Sequence, residues 1–250
     1  MHLPLHEFDP NPIAVINPAH DRRSVVLPRV GVLCWFGDVV RERMVEQEVV
    51  YNIQFEHGPH PVVVIEHNGV EVALACPGVG APIAAGSLEM FIAHGCTTVV
   101  GVGGAGVIRP GFDVGHVVIP IAAIRDEGTS YHYASHDDDV APHQDVVAAL
   151  HAELTAQGVP FEEAMTWTTD AFYRETEAKV RRRREQGCLT VEMEASALFA
   201  VAAFRGARYG QVLYCGDDLS AGSWDHRDWH RQTSVREHLL DIALGAAIRL

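Results

Sequence analysis

The chain has 250 residues, 48% hydrophobic and 21% charged, the balance of a globular protein with ample core. Its formal net charge of −14 argues against a nucleic-acid surface. No apolar run reaches membrane-spanning length, and the start MHLPLHEFDPNP lacks the charged head and apolar core of a signal peptide. The five cysteines are scattered, odd in number and without CxxC spacing, which fits buried thiols in a reducing compartment. The expectation is a cytoplasmic protein, one domain over 1–250, with no nucleic-acid or membrane partner.

In chain order, residues 1–12 read as irregular and Ile13 to Ile16 as a short strand ended by Asn17-Pro18. His20-Asp21-Arg22-Arg23 follows as a polar loop, and Ser24 to Gln54 has no single period. Val62 to Ile65 and Val70 to Cys76 are β-branched runs joined at Asn68-Gly69, a hairpin signal. Pro77 to Pro82 is a glycine-rich turn into a helix, Ile83 to His94. Thr97 to Val100 reads as a strand, and the following Gly101-Val102-Gly103-Gly104-Ala105-Gly106 spells GxGxxG, with Asp126 where a ribose-binding acid would stand. A dinucleotide site needs a helix directly after that loop. Here a turn, Val107 to Gly111, and a second strand, Gly115 to Pro120, come instead, so that reading is rejected.

Asp137 to Asp139 reads as a solvated loop, Gln144 to Gln157 as an amphipathic helix stopped by Gly158, and Thr166 to Tyr173 as strand running into loop. The run Arg181 to Arg184 reads as an exposed helix rather than a nucleic-acid patch. In Asp225 to Arg231, His226 and His230 stand four apart. With no third ligand at helical spacing, the expectation is no metal. Gln232 to Leu250 is an amphipathic helix.

Thr190 to Leu219 organises the rest. Glu192 and Glu194 flank Met193, then an alanine-rich helix spans Ala195 to Arg205, which Gly206 can cap. A strand, Gln211 to Cys215, then empties into Gly216-Asp217-Asp218. VEMEA, a hydrophobic helix and a strand ending in Asp resemble the purine nucleoside and uridine phosphorylase superfamily, from about Ala14 to the C-terminus.

The resemblance implies an α/β chain of three-layer α/β/α phosphorylase/hydrolase-like fold around a central mixed sheet. It implies Glu194 as acceptor for the ribose 2′ and 3′ hydroxyls, with Met193 on the sugar face and Glu192 beside it. Phe172, with Thr169 in the same TWTTDAFY stretch, would meet the base, although on the residues alone a core position is the commoner fate of a phenylalanine. Asp218 would be the general acid at a purine N7. Arg231, thirteen residues on in a similar RQT context, would be its partner. That spacing selects Asp218 over Asp217.

Inorganic phosphate would be a cosubstrate, with no other cofactor. It would be held by Arg23 in the loop after the first strand and by backbone N–H groups of Gly103 and Gly104. Two phosphate-binding side chains of the family, an arginine and a serine or threonine, are replaced by Gly101 and Gly104, and no arginine stands near His57-Gly58. The family also implies a homo-oligomer, dimer or hexamer. Purine is favoured because uridine phosphorylases lack the acid, although IRDEGTSYHY resembles the uridine enzymes. The expected function is phosphorolysis of a nucleoside. The alternatives are a hydrolase with Asp21 as base, pyrimidine specificity, and a non-catalytic nucleoside-binding protein.

Overall fold

The structure, a computed structural model, describes residues 3–18 and 25–250. Strands β1 (Val30–Cys34), β2 (Val49–Phe55), β3 (Gly58–His67), β4 (Val70–Ala75), β5 (Thr98–Val107), β6 (Val117–Asp126), β7 (Phe161–Thr169), β8 (Cys188–Glu192) and β9 (Arg208–Asp218) form one mixed sheet. Helices α1 (Gly37–Met44), α2 (Ala81–Ala93), α3 (Gln144–Ala156), α4 (Glu177–Glu185), α5 (Ala195–Arg205) and α6 (Thr233–Ala247) cover it. Strand order is β2-β3-β4-β1-β5-β8-β7-β6-β9, and β9 also pairs with β5. The strands β5-β8-β7-β6-β9 therefore close on themselves, while β1, β4, β3 and β2 extend outward from β5.

Helices α2 and α5 pack together over one face, with Leu88, Phe91, Leu198 and Phe199 buried against Leu33 and Val99. Helices α1, α3 and α6 cover the other, where Leu150 and Leu240 meet Val32 and Val100. This is the three-layer arrangement expected. The β3–β4 hairpin turns at Asn68 (φ 51°) and Gly69 (φ 80°), the left-handed pair a two-residue turn demands. Helix α5 has the expected bounds, and Gly206 ends it at φ 67°. Among the described residues, no helix is long and apolar enough to cross a membrane.

Three expectations change. Ile13 to Ile16 is not a strand: Ile13, Val15 and Ile16 are exposed and lack a sheet partner, and the first strand is β1. The glycine run 101–106 is not a loop but the far half of β5. A Cβ at Gly101 would lie 2.0 Å from the Tyr209 hydroxyl, and one at Gly104 would lie 3.0 Å from the Tyr214 ring. The glycines thus make room for two rings of β9 and leave the strand unbroken. Third, the arginine run is only partly free. Arg183 is 3.3 Å from Asp126 and lies over the Trp167 ring, and Lys179 donates to the same carboxylate at 2.9 Å. Asp126 is thereby a structural ion pair, as rejecting the dinucleotide reading requires.

Candidate active site

The sheet itself makes the cavity. On one edge β5 pairs with β1 only as far as Cys34↔Val102, and with β8 only from Gly106↔Val191. Between these, Gly103, Gly104 and Ala105 face a cavity of about 660 Å³. Its walls come from the β1–α1 turn (Trp35, Phe36), the end of β8 (Glu192, Met193, Glu194), the end of β9 with its following loop, the loop after β7, and α6 through Arg236. It thus lies at strand ends where an open α/β sheet divides.

At the end of β8 the two glutamates divide their work. Glu192 Oε2 accepts from the backbone N–H groups of Glu194 and Ala195, both at 2.7 Å, and Oε1 accepts from the Thr168 hydroxyl at 2.5 Å. From the end of β8 it accepts from the N–H groups that open α5 and so fixes the turn between them. Glu194 turns the other way, across the crevice, and its Oε1 accepts from Gly80 N at 2.6 Å. Gly80 has φ 105°, a backbone that only glycine adopts at low cost, and this fixes the N–H direction. Burial raises the pKa of both carboxyls. The charge of Glu192 raises Glu194 further, and the N–H groups of Gly80 and Met193 oppose the rise. Met193 lines the cavity between them.

At the end of β9 the residues that reach the cavity differ from those expected. Asp217, not Asp218, lines the cavity. Strand pairing runs from Ala105↔Cys215 to Val107↔Asp218, so two residues of β5 oppose three of β9. This bulge re-aims Asp217 inward. Its Oδ2 accepts from Trp224 Nε1 at 2.7 Å. Asp218 is consumed by structure: it forms an ion pair with Arg227, accepts from Ser220 N at 2.6 Å, and exchanges two backbone hydrogen bonds with Asp225. Arg231 is exposed in the turn Trp229–Arg231 and does not line the cavity. The arginine that meets Asp218 is Arg227, because the loop 225–231 folds back at Arg227 and Asp228.

Phe172 lines the cavity and is 50% exposed, beside Tyr173 at 4.2 Å between ring centroids, so it is not a core residue. Thr169 is buried and accepts from Ala171 N at 3.2 Å; it shapes the turn after β7 and does not reach the cavity. Glu175, which sequence reading passed over, lines the cavity and makes no side-chain hydrogen bond among the described residues. Burial, then the charge of Asp217, pushes its carboxyl up to about 7 against the pull of Lys179.

At the anion end, Gly103 and Gly104 are in place, but Gly101 faces the Tyr209–Gln211 hydrogen bond, 3.0 Å long, and has no room for a side chain. Arg23 and Asp21 lie outside the described residues, and the strand on which their placement rested does not form. Since the first strand is β1, the arginine after it is Arg41 on α1. Its guanidinium lies over Gly37, next to the cavity-lining Phe36, where a Cβ would be 3.4 Å from Nη1; Arg41 is exposed, is not itself a lining residue, and forms no ion pair among the described residues. Arg236 adds a second cation: it lines the cavity, lies over the Phe36 ring and donates to Asp38 at 2.8 Å. Its buried Nε has no partner among the described residues. Arg125 is occupied by Ser130, Ala134, Ser135 and Asp138. On the rim, Asp228 supplies the third donor that helical spacing could not place beside His226 and His230.

Residues 29–249 match the family described as the Phosphorylase superfamily. The chain belongs to that superfamily. Within it, the guanosine phosphorylase of Halorubrum lacusprofundi is 26% identical over 222 residues, 89% of this chain and 85% of the relative. The uridine phosphorylase of Thermococcus kodakarensis is 30% identical over 160 residues, 59% of this chain and 58% of the relative. Among solved structures, an AMP nucleosidase from Bacteroides thetaiotaomicron superposes with a TM-score of 0.72 at 21% identity, covering 88% of this chain and 87% of that one. The superfamily's fold is thus shared by relatives named for different bases.

Proposed function

We propose that this enzyme cleaves the N-glycosidic bond of a purine nucleoside by phosphorolysis, releasing the free base and ribose 1-phosphate. The observation that carries the reading is the order of groups along one cavity: a cation and backbone end, a buried diol acceptor, then carboxylates beneath exposed aromatics. The Halorubrum relative's name supports a purine; the Thermococcus relative's name is the counterweight.

In this reading Glu194 accepts from the ribose 2′ and 3′ hydroxyls, which favours its ionised form, and its charge then stabilises the cationic sugar as the bond lengthens. Phe172 stacks on the base. Asp217 and Glu175 share the acid work, and Glu175 is the member that holds a proton near neutral pH. The proton passes to N7, the C1′–N9 pair leaves with the base, and a phosphate oxygen bonds to C1′ from the side of Gly103, Gly104 and Arg41. Phosphate meets fewer cationic side chains than the family provides, so it saturates at high concentration. We further propose that the enzyme works as an oligomer, at least a dimer.

The test is a panel of guanosine, inosine, adenosine and uridine, each with and without phosphate, scored for free base and ribose 1-phosphate. Purine release that depends on phosphate is expected. Cleavage of uridine alone overturns the purine reading. A hydrolytic reading has one observation in its favour: the rings of Tyr209 and Tyr214 fill the space where two phosphate-binding side chains would stand.

A further inference from the structure

The segment from Asp225 to Arg231 walls the cavity through His226 and Trp229. Its backbone is fixed by groups other than its own imidazoles. Asp225 exchanges 2.8 Å backbone hydrogen bonds with Asp218. Arg227 reaches the Asp218 carboxylate and donates to the Phe112 carbonyl at 2.8 Å. The Tyr214 hydroxyl donates to Trp229 O at 2.7 Å, and Arg236 donates to His230 O at 3.1 Å.

Within this frame two successive non-glycine residues, Arg227 and Asp228, take φ of 49° and 45°. Residues with a Cβ adopt this backbone only at a cost, so the surrounding contacts must impose it. Its effect is to fold His-Arg-Asp-Trp-His back on itself. One ligand atom each from His226, Asp228 and His230 then lies within 4.8 Å of the others. His226 Nδ1 is 3.8 Å from Asp228 Oδ1, and the two imidazole centroids are 5.0 Å apart at 70°. The distance from His226 to Asp228 exceeds a hydrogen bond, so that contact does not account for the bend.

We propose that His226, Asp228 and His230 form a binding site for one divalent transition-metal ion of the zinc type at the rim of the cavity. Two imidazoles and one carboxylate are the donor set that zinc, nickel and cobalt share, whereas magnesium and calcium want oxygen ligands. Donors on such an ion stand about 3–3.5 Å apart, given bonds of about 2.0–2.2 Å. The side chains are partly or fully exposed, so they are free to draw in from the present spacing onto an ion. The remaining coordination positions go to water. The ion would stiffen the wall that carries Trp224 and Trp229, whose rings lie 5.2 and 6.1 Å from that of His226. The inference is independent of which bond the enzyme breaks.

The experiment uses the full chain with no affinity tag, stripped with EDTA. It is titrated with zinc chloride by calorimetry and by tryptophan fluorescence, and metal content is measured after dialysis. One equivalent of zinc per chain and a fluorescence change that saturates with it are expected, with no response to magnesium chloride. His226→Ala and His230→Ala each weaken binding by about tenfold or more. Asp228→Asn, which tolerates the left-handed backbone, weakens it too. The double alanine variant of His57 and His60, another close imidazole pair with Nε2 atoms 2.7 Å apart, retains wild-type binding. Circular dichroism and melting confirm that each variant folds. No retained zinc in the wild type overturns the site, as does unchanged affinity in any of the three single variants. Loss of binding in the His57 and His60 variant instead would move the metal elsewhere and equally overturn it.

Discussion

Replacing Glu194 by alanine removes the carboxylate that crosses the crevice to Gly80 and that we propose as the ribose acceptor. The charge-assisted bond it offers is worth about 1.5–3 kcal/mol, so kcat/KM on a ribonucleoside should fall by one to two orders of magnitude or more. Near-normal kinetics would take Glu194 out of the site. The neighbouring aspartates separate by chemistry. Asp217→Asn should stop cleavage of ordinary purine nucleosides yet spare 7-methylated ones, whose base already carries the positive charge. Asp218→Asn should act on the loop it anchors, lowering thermal stability and affecting both substrate classes alike. The reverse pattern would return the acid to Asp218. Glu175 adds a pH signature. Its carboxyl sits at about 7 against an ordinary 4.5, so the protonated form that can act as an acid is lost as pH rises through about 7. The pH profile of kcat/KM should show an alkaline limb there that Glu175→Gln flattens. The same shift makes the wild type lose stability relative to that variant between 4.5 and about 7, since a raised acid is favoured in the fold only while protonated. A limb that persists in Glu175→Gln assigns the titration to another group.

At the scale of elements, the turn from β8 into α5 holds the sugar end through Glu192. Glu192→Ala leaves two buried N–H groups and the Thr168 hydroxyl without their acceptor. That should cost about 1–3 kcal/mol of stability, read as a lower denaturant midpoint. An unchanged midpoint would mean the cap is replaceable. The elements themselves were largely legible. VEMEA, α5 and its Gly206 cap, the Asn68-Gly69 hairpin and helix α3 all follow from local signals. What failed depends on tertiary context. Ile13 to Ile16 has the composition of a strand but no sheet edge to join, so the loop after the first strand is the one that follows β1, where Arg41 and not Arg23 is the arginine at hand. The glycine run looked like a loop because its use, clearing the Tyr209 and Tyr214 rings, involves residues a hundred positions away. A single bulge in β9 turns Asp217 rather than Asp218 toward the cavity, and no spacing rule registers a bulge. Glu175 and Arg236 carry no motif; only their burial in the cavity marks them.

Across the whole molecule, in the reading proposed above, the closed strands β5-β8-β7-β6-β9 bring the base and sugar groups to one edge, while β1 and α1 bring the anion groups to the other. Transfer to phosphate requires both halves. The most direct measurement is product analysis with a purine nucleoside across a phosphate titration, in wild type and Arg41→Ala, quantifying base, ribose 1-phosphate and ribose. The expected result is ribose 1-phosphate equal to released base in the wild type, saturating only at high phosphate, and no ribose 1-phosphate from Arg41→Ala. Free ribose at every phosphate concentration, with ribose 1-phosphate absent from the wild type, would contradict phosphorolysis and make the enzyme a hydrolase.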